Sequence, residues 1–62
     1  MDERSNWEVC WGWTRRDGTT TYRTITVSVR SESDALGVAH RRARRYASGF
    51  VVGARPATEL AP

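Results

Sequence analysis

All ten cationic side chains of this 62-residue chain are arginine, and Arg41, Arg42, Arg44 and Arg45 fall within five consecutive positions that hold no acid. Guanidinium groups are planar, permanently charged forks that match phosphate oxygens. A contiguous set of them is the kind of surface that neutralises successive phosphates of a nucleic acid. Arg15 and Arg16 precede Asp17-Gly18 and would extend that surface if the fold brings them near, as would Arg23, Arg30 and Arg55. The competing reading of such a run is a solvated helix face balanced by nearby carboxylates.

Other chemistries find less support. His40 is the only histidine and Cys10 the only cysteine, so no Cys and His cluster is available for zinc and no internal disulfide can form. His40 has no nucleophile or ligand at a useful spacing, and no paired carboxylates stand at a suggestive spacing. Gly49-Phe50-Val51-Val52-Gly53 lacks the lysine and the helix of a phosphate loop. The chain therefore reads as non-enzymatic, with no catalytic residue, metal or cofactor. Aromatic rings are the remaining binding chemistry. Trp7 and Trp11 are expected in the core, whereas Trp13 and Tyr22, near a turn, are candidates for an exposed aromatic interface that stacks bases or meets a partner.

These side chains must be positioned by short elements. Trp7, Val9, Trp11 and Trp13 alternate with more polar residues over Trp7 to Thr14, and Ile25, Val27 and Val29 alternate with Thr and Ser over Thr20 to Arg30. Both runs have the period of a half-buried strand. Asp17-Gly18 marks a hairpin between them. A two-residue loop would pair Arg16 with Thr19 and split the apolar sets between two faces. A three-residue loop with Gly18 left-handed pairs Arg15 with Thr19, Val9 with Ile25 and Trp7 with Val27, so all large apolar residues share one face. A one-residue slip exchanges the faces, and the second register is preferred because it makes one core.

Ser31 to Gly49 reads as an amphipathic helix. Ser31 is a candidate N-cap, Glu32 and Asp34 suit the positive end of the dipole, and Gly49 suits the left-handed residue past the end. At about 100° per residue, Ala35, Leu36, Ala39, Ala43, Tyr46 and Ala47 fall on one side and the four arginines on the other. Phe50 to Arg55 comes next as a short strand that Pro56 ends. The expectation is an α+β, single ββαβ domain: a mainly antiparallel three-stranded sheet in order 2-1-3, with one helix on one face. Residues 1–62 form one domain, with an ordered core over 6–56 and flexible termini at 1–5 and 57–62.

A chain this short buries little of its surface, so a homodimer or higher oligomer is favoured over a monomer. Met1 to Asn6 lacks the apolar stretch of a signal peptide, and no run is long enough to span a membrane, which predicts a cytoplasmic protein without membrane association. The net charge of +3 and pI near 10.0 make acidic partners suitable.

Thr24-Ile25-Thr26-Val27-Ser28-Val29-Arg30-Ser31-Glu32-Ser33-Asp34-Ala35-Leu36, continued by an Arg and Ala helix and a Val-rich strand, resembles small uncharacterised proteins of actinobacterial phages. The resemblance covers about two thirds of the chain. It implies a phage or actinobacterial accessory protein and carries over no site residue. Two functional expectations result. In the first, the arginine helix binds an anionic partner, foremost nucleic acid. In the second, an exposed sheet face and its aromatic residues bind a host protein or another copy of the chain.

Overall fold

The computed structural model describes residues 4–57. It contains strand β1 (Ser5–Thr14), strand β2 (Thr20–Val29), helix α1 (Glu32–Ala43) and strand β3 (Gly49–Pro56). The three strands form one sheet in order β2-β1-β3, antiparallel throughout, with α1 packed across β1 and β3 on one face. This is the expected ββαβ arrangement. The proposed flexible termini, 1–5 and 57–62, fall largely outside the described residues, and Ser5 already belongs to β1. Among the described residues, no helix is long and apolar enough to cross a membrane.

The hairpin adopts the register that gathers the apolar residues. Val9 pairs with Ile25 and Trp7 with Val27. Arg15 donates its N–H to the Thr19 carbonyl at 2.8 Å, and Gly18 donates to the Arg15 carbonyl at 2.9 Å. Gly18 takes φ +90°, a conformation that costs an L side chain and that lets a three-residue loop close. Asp17 completes the turn by accepting from both the N–H and the hydroxyl of Thr19, at 2.9 and 2.7 Å.

The core is small. Val9 is fully buried and Trp11 nearly so, beneath Ala35, Ala39 and Ala43 of the helix. Alanine at these positions lets the helix lie close enough to the sheet for Val9 and Trp11 to be excluded from water. Val38 is a further helix contact, while Trp7, Trp13, Ile25, Val27, Val29, Val51 and Ala54 surround the cluster half-buried. The indole N–H of Trp11 meets no protein acceptor among the described residues, so the ring's contribution to the core is apolar.

The helix begins as expected, with Ser31 Oγ accepting from Asp34 N–H at 3.2 Å. It ends at Ala43, well before Gly49. Bonds from Arg45 N–H to the Arg42 carbonyl and from Tyr46 N–H to the Ala43 carbonyl tighten the last turn, and the chain then swings back to the sheet. Continued helix would carry Gly49 away from Trp13, its partner in the sheet. Pairing and packing of β3 therefore outweigh the helical pattern of Arg44 to Ala47. Gly49 does not take a left-handed conformation. It is required by proximity, because a Cβ there would lie 1.9 Å from the Ala43 carbonyl oxygen.

Two substitutions separate these constraints. Gly49→Ala should destabilise the fold by about 1–3 kcal/mol or more, as overpacking against backbone does. Gly37→Ala should stabilise it by about 0.5–1 kcal/mol, because the new methyl meets only the flexible end of Arg41, at 3.7 Å. Chemical denaturation of both variants measures the two signs.

Candidate nucleic-acid interface

The arginine run does not form one face. Arg42 is seven residues from Ala35, within about 20° of it around the helix axis, and so leaves the helix on its sheet side. Its guanidinium carbon lies 6.0 Å from the centre of the Trp11 ring, within cation–π range. Arg42 is nevertheless exposed, as expected of the outer residues, and only its guanidinium passes near the edge of the core. Arg41 reaches back toward Gly37 and lines a hollow with Ser33, Asp34 and Val38 near the first half of the helix. Arg44 is the C-cap and Arg45 lies in the turn beyond it, both exposed.

That turn is held to the hairpin by two interactions. Ser48 Oγ accepts the Thr14 N–H at 3.0 Å and donates to the Thr14 carbonyl. Tyr46 stacks face to face on Trp13, with ring centres 4.0 Å apart and planes 1° from parallel. Arg15 and Arg16 come directly after Thr14, whereas Arg44 and Arg45 precede Ser48 by four and three residues. With about 3.8 Å between successive Cα atoms, all four guanidinium-bearing residues lie within about 15 Å along the chain from the clasp. Two segments remote in sequence thus place four exposed arginines at one end of the molecule.

One carboxylate shares this end. Asp17 is fully exposed, and its pKa is lowered, first by the Thr19 hydroxyl, then by the Thr19 N–H, with a smaller contribution from the charge of Arg15. It remains ionised and occupied with the turn. The remaining described acids lie elsewhere: Glu32 and Asp34 in the first turn of α1, and Glu8 on the sheet, where it meets Arg55 at 3.4 Å.

The expected aromatic interface is divided between the two faces of the sheet. Trp13 lies on the helix side, half-buried under Tyr46, and is not an exposed anchor. Tyr22 pairs with Gly12 and projects from the open face, 59% exposed. There it meets Phe50 edge-on, with ring centres 6.1 Å apart. Both rings close over Gly12, where a Cβ would lie 2.8 Å from Phe50 and 3.0 Å from Tyr22. Phe50 and the exposed Val52 are absent from the interface expected on sequence grounds. A glycine between two tryptophans is the signal that points to them, since glycine inside a strand marks close approach by another group.

Cys10 is half-buried on that open face, opposite Thr24 and Gly53, next to a bulge at Val52. Arg23 pairs with Trp11 and leaves from the other face. His40 is exposed on the helix flank. Among the described residues, no group of three His, Cys, Asp or Glu is placed to hold a metal ion. No family model, curated protein or solved structure matches this chain.

Asp17 allows a pH test of the turn that carries Arg15 and Arg16. Its pKa is lower folded than unfolded, so its contribution is complete above the ordinary value of 3.8 and is lost as pH falls through the lowered folded value. Wild type should melt above Asp17→Ala at neutral pH, and the gap should shrink in acid. A gap independent of pH would show that ionisation of Asp17 does not support the turn.

Proposed function

We propose that this protein is a non-enzymatic binding module that engages the phosphate backbone of a nucleic acid through its arginine-rich end. The observation that carries this reading is the clasp between Thr14 and Ser48, which joins Arg15 and Arg16 to Arg44 and Arg45. These guanidinium groups are exposed, and the only described acid beside them is Asp17. Backbone neutralisation needs this kind of charge density and no reading of bases. The exposed rings of Tyr22 and Phe50 lie on the open sheet face, apart from the helix, so stacking on bases is not part of the proposed contact. Binding is accordingly insensitive to sequence and sensitive to salt. An accessory role in a phage or actinobacterium fits such an activity and rests on the sequence resemblance alone.

A second reading is supported by a different observation. Tyr22, Val52 and Phe50 are 59%, 54% and 39% exposed on the sheet face that the helix leaves uncovered. An apolar patch of this kind suits a protein partner.

Fluorescence titration with duplex and single-stranded DNA and RNA across a salt series tests the first reading. Replacing Arg15, Arg16, Arg44 and Arg45 with Gln should reduce the slope of log Kobs against log salt by about 3–4 on duplex DNA. Arg41→Gln should change it by less than one such contact, and Tyr22→Ala should leave it unaltered. Absence of binding by wild type at low salt would overturn the reading. Pull-down of a partner that Tyr22→Ser/Phe50→Ser loses, with nucleic-acid affinity unchanged, would favour the second.

A further inference from the structure

The two edges of the sheet differ in a way that neither binding reading uses. The β3 edge is interrupted by the bulge at Val52, carries the charged Arg55 and ends in Pro56, which has no N–H. Each of these features discourages strand addition. The β2 edge has neither the bulge nor the proline. It runs for ten residues, Thr-Thr-Tyr-Arg-Thr-Ile-Thr-Val-Ser-Val, without proline, glycine or a bulge, and Arg23 is its one charge.

The hydrogen-bond phase shows which backbone groups are open. Residues opposite each other in an antiparallel pair alternate between bonded and non-bonded pairs. Arg15 bonds Thr19 and the Thr14 backbone turns to Ser48 on the β3 side. By that alternation Thr21, Arg23, Ile25 and Val27 bond β1, and the N–H and C=O groups of Tyr22, Thr24, Thr26 and Ser28 point away from the sheet.

The side chains of β2 are also incompletely covered. Helix α1 packs on β1 and β3 and scarcely touches β2. Ile25, Val27 and Val29 are left half-buried along the helix side of this edge.

We propose that β2 pairs antiparallel with β2 of a second copy, joining two sheets into one of six strands about a twofold axis. Self-pairing suits this strand in particular. A twofold at Thr24 aligns Thr20 to Ser28 with its own copy, and one at Ile25 aligns Thr21 to Val29. Both registers bring the outward-facing backbone groups together. Both also set Arg23 opposite an aliphatic residue of the other copy, Ile25 or Val27, and keep the two guanidinium groups from facing each other, which would be unfavourable. On the open face Thr24 then meets Thr24 or Thr26 and Tyr22 meets Thr26 or Ser28, and β-branched residues gather on the helix side, pairings that stabilise sheets. The second copy extends a core in which Val9 is the only fully buried large side chain among the described residues. Because the β3 edge is blocked, association closes at two chains and does not propagate into a fibre. The contact is separate from the arginine-rich end, so it stands whether or not nucleic acid binds there.

Sedimentation equilibrium of the full chain from micromolar to millimolar concentration, with amide hydrogen exchange on the same samples, tests the pairing. A species of twice the 7.0 kDa chain mass is expected at the upper end. The amides of Tyr22, Thr24, Thr26 and Ser28 should exchange slowly there and lose protection on dilution. Thr24→Pro removes an outward N–H without removing a bond to β1, and should return the mass to that of one chain. If that variant does not fold, exchange in wild type decides. A single-chain mass throughout, or those amides unprotected at every concentration, overturns the proposal and leaves the edge to a foreign strand. A dimer that survives Thr24→Pro and is lost in Tyr22→Ser/Phe50→Ser also overturns it, and moves the contact to the open sheet face.

Discussion

The approach of an alanine-faced helix to the central strand governs this fold. Val9 and Trp11 on β1 are buried only because Ala35, Ala39 and Ala43 let α1 come close to them. That approach constrains the chain beyond the helix, because the Ala43 carbonyl leaves no room for a side chain at residue 49. Glycine there lets β3 start beside Trp13 and pair along β1. The short helix, the tight turn and the third strand are consequences of one packing distance.

The same turn gathers the charge. Tyr46 comes to rest on Trp13, and Ser48 bonds both the N–H and the carbonyl of Thr14, so the helix end is pinned to the hairpin end. An aromatic stack of this kind contributes about 0.5–1.5 kcal/mol beyond the area it buries. Its larger effect is on geometry: Arg44 and Arg45 are held at the same end of the molecule as Arg15 and Arg16, while Arg42, also exposed, passes near the Trp11 ring and Arg41 lies by Gly37. A continuous helix to Gly49 would have spread the same residues along a rod.

The sheet is asymmetric in two directions. One face is covered by the helix and the other carries Tyr22, Phe50 and Val52 in the open; one edge is broken by a bulge and proline and the other is regular. A domain with so few buried side chains has strong reason to use a second copy to complete its burial. The proposed pairing through β2 and the proposed phosphate contact at the arginine-rich end use different surfaces, so they are compatible in one assembly.

Local chemistry determined the elements that depend on neighbouring residues. Alternation placed both long strands, Asp17-Gly18 placed the hairpin, and the apolar pattern selected its register because the other register would divide the core. Ser31 with Asp34 set the start of the helix. Composition and the arginine run identified the candidate surface as cationic. What the tertiary structure decided depends on contacts between distant segments. It ended the helix at Ala43, turned Arg42 onto Trp11, hid Trp13 beneath Tyr46 and exposed Phe50 beside Tyr22. Helical periodicity cannot foresee these outcomes, because it assigns a side to each residue without knowing where the third strand will compete for the backbone. The four arginines adjacent in sequence were separated, and two were joined to Arg15 and Arg16, because β3 had to return to β1 at a fixed distance.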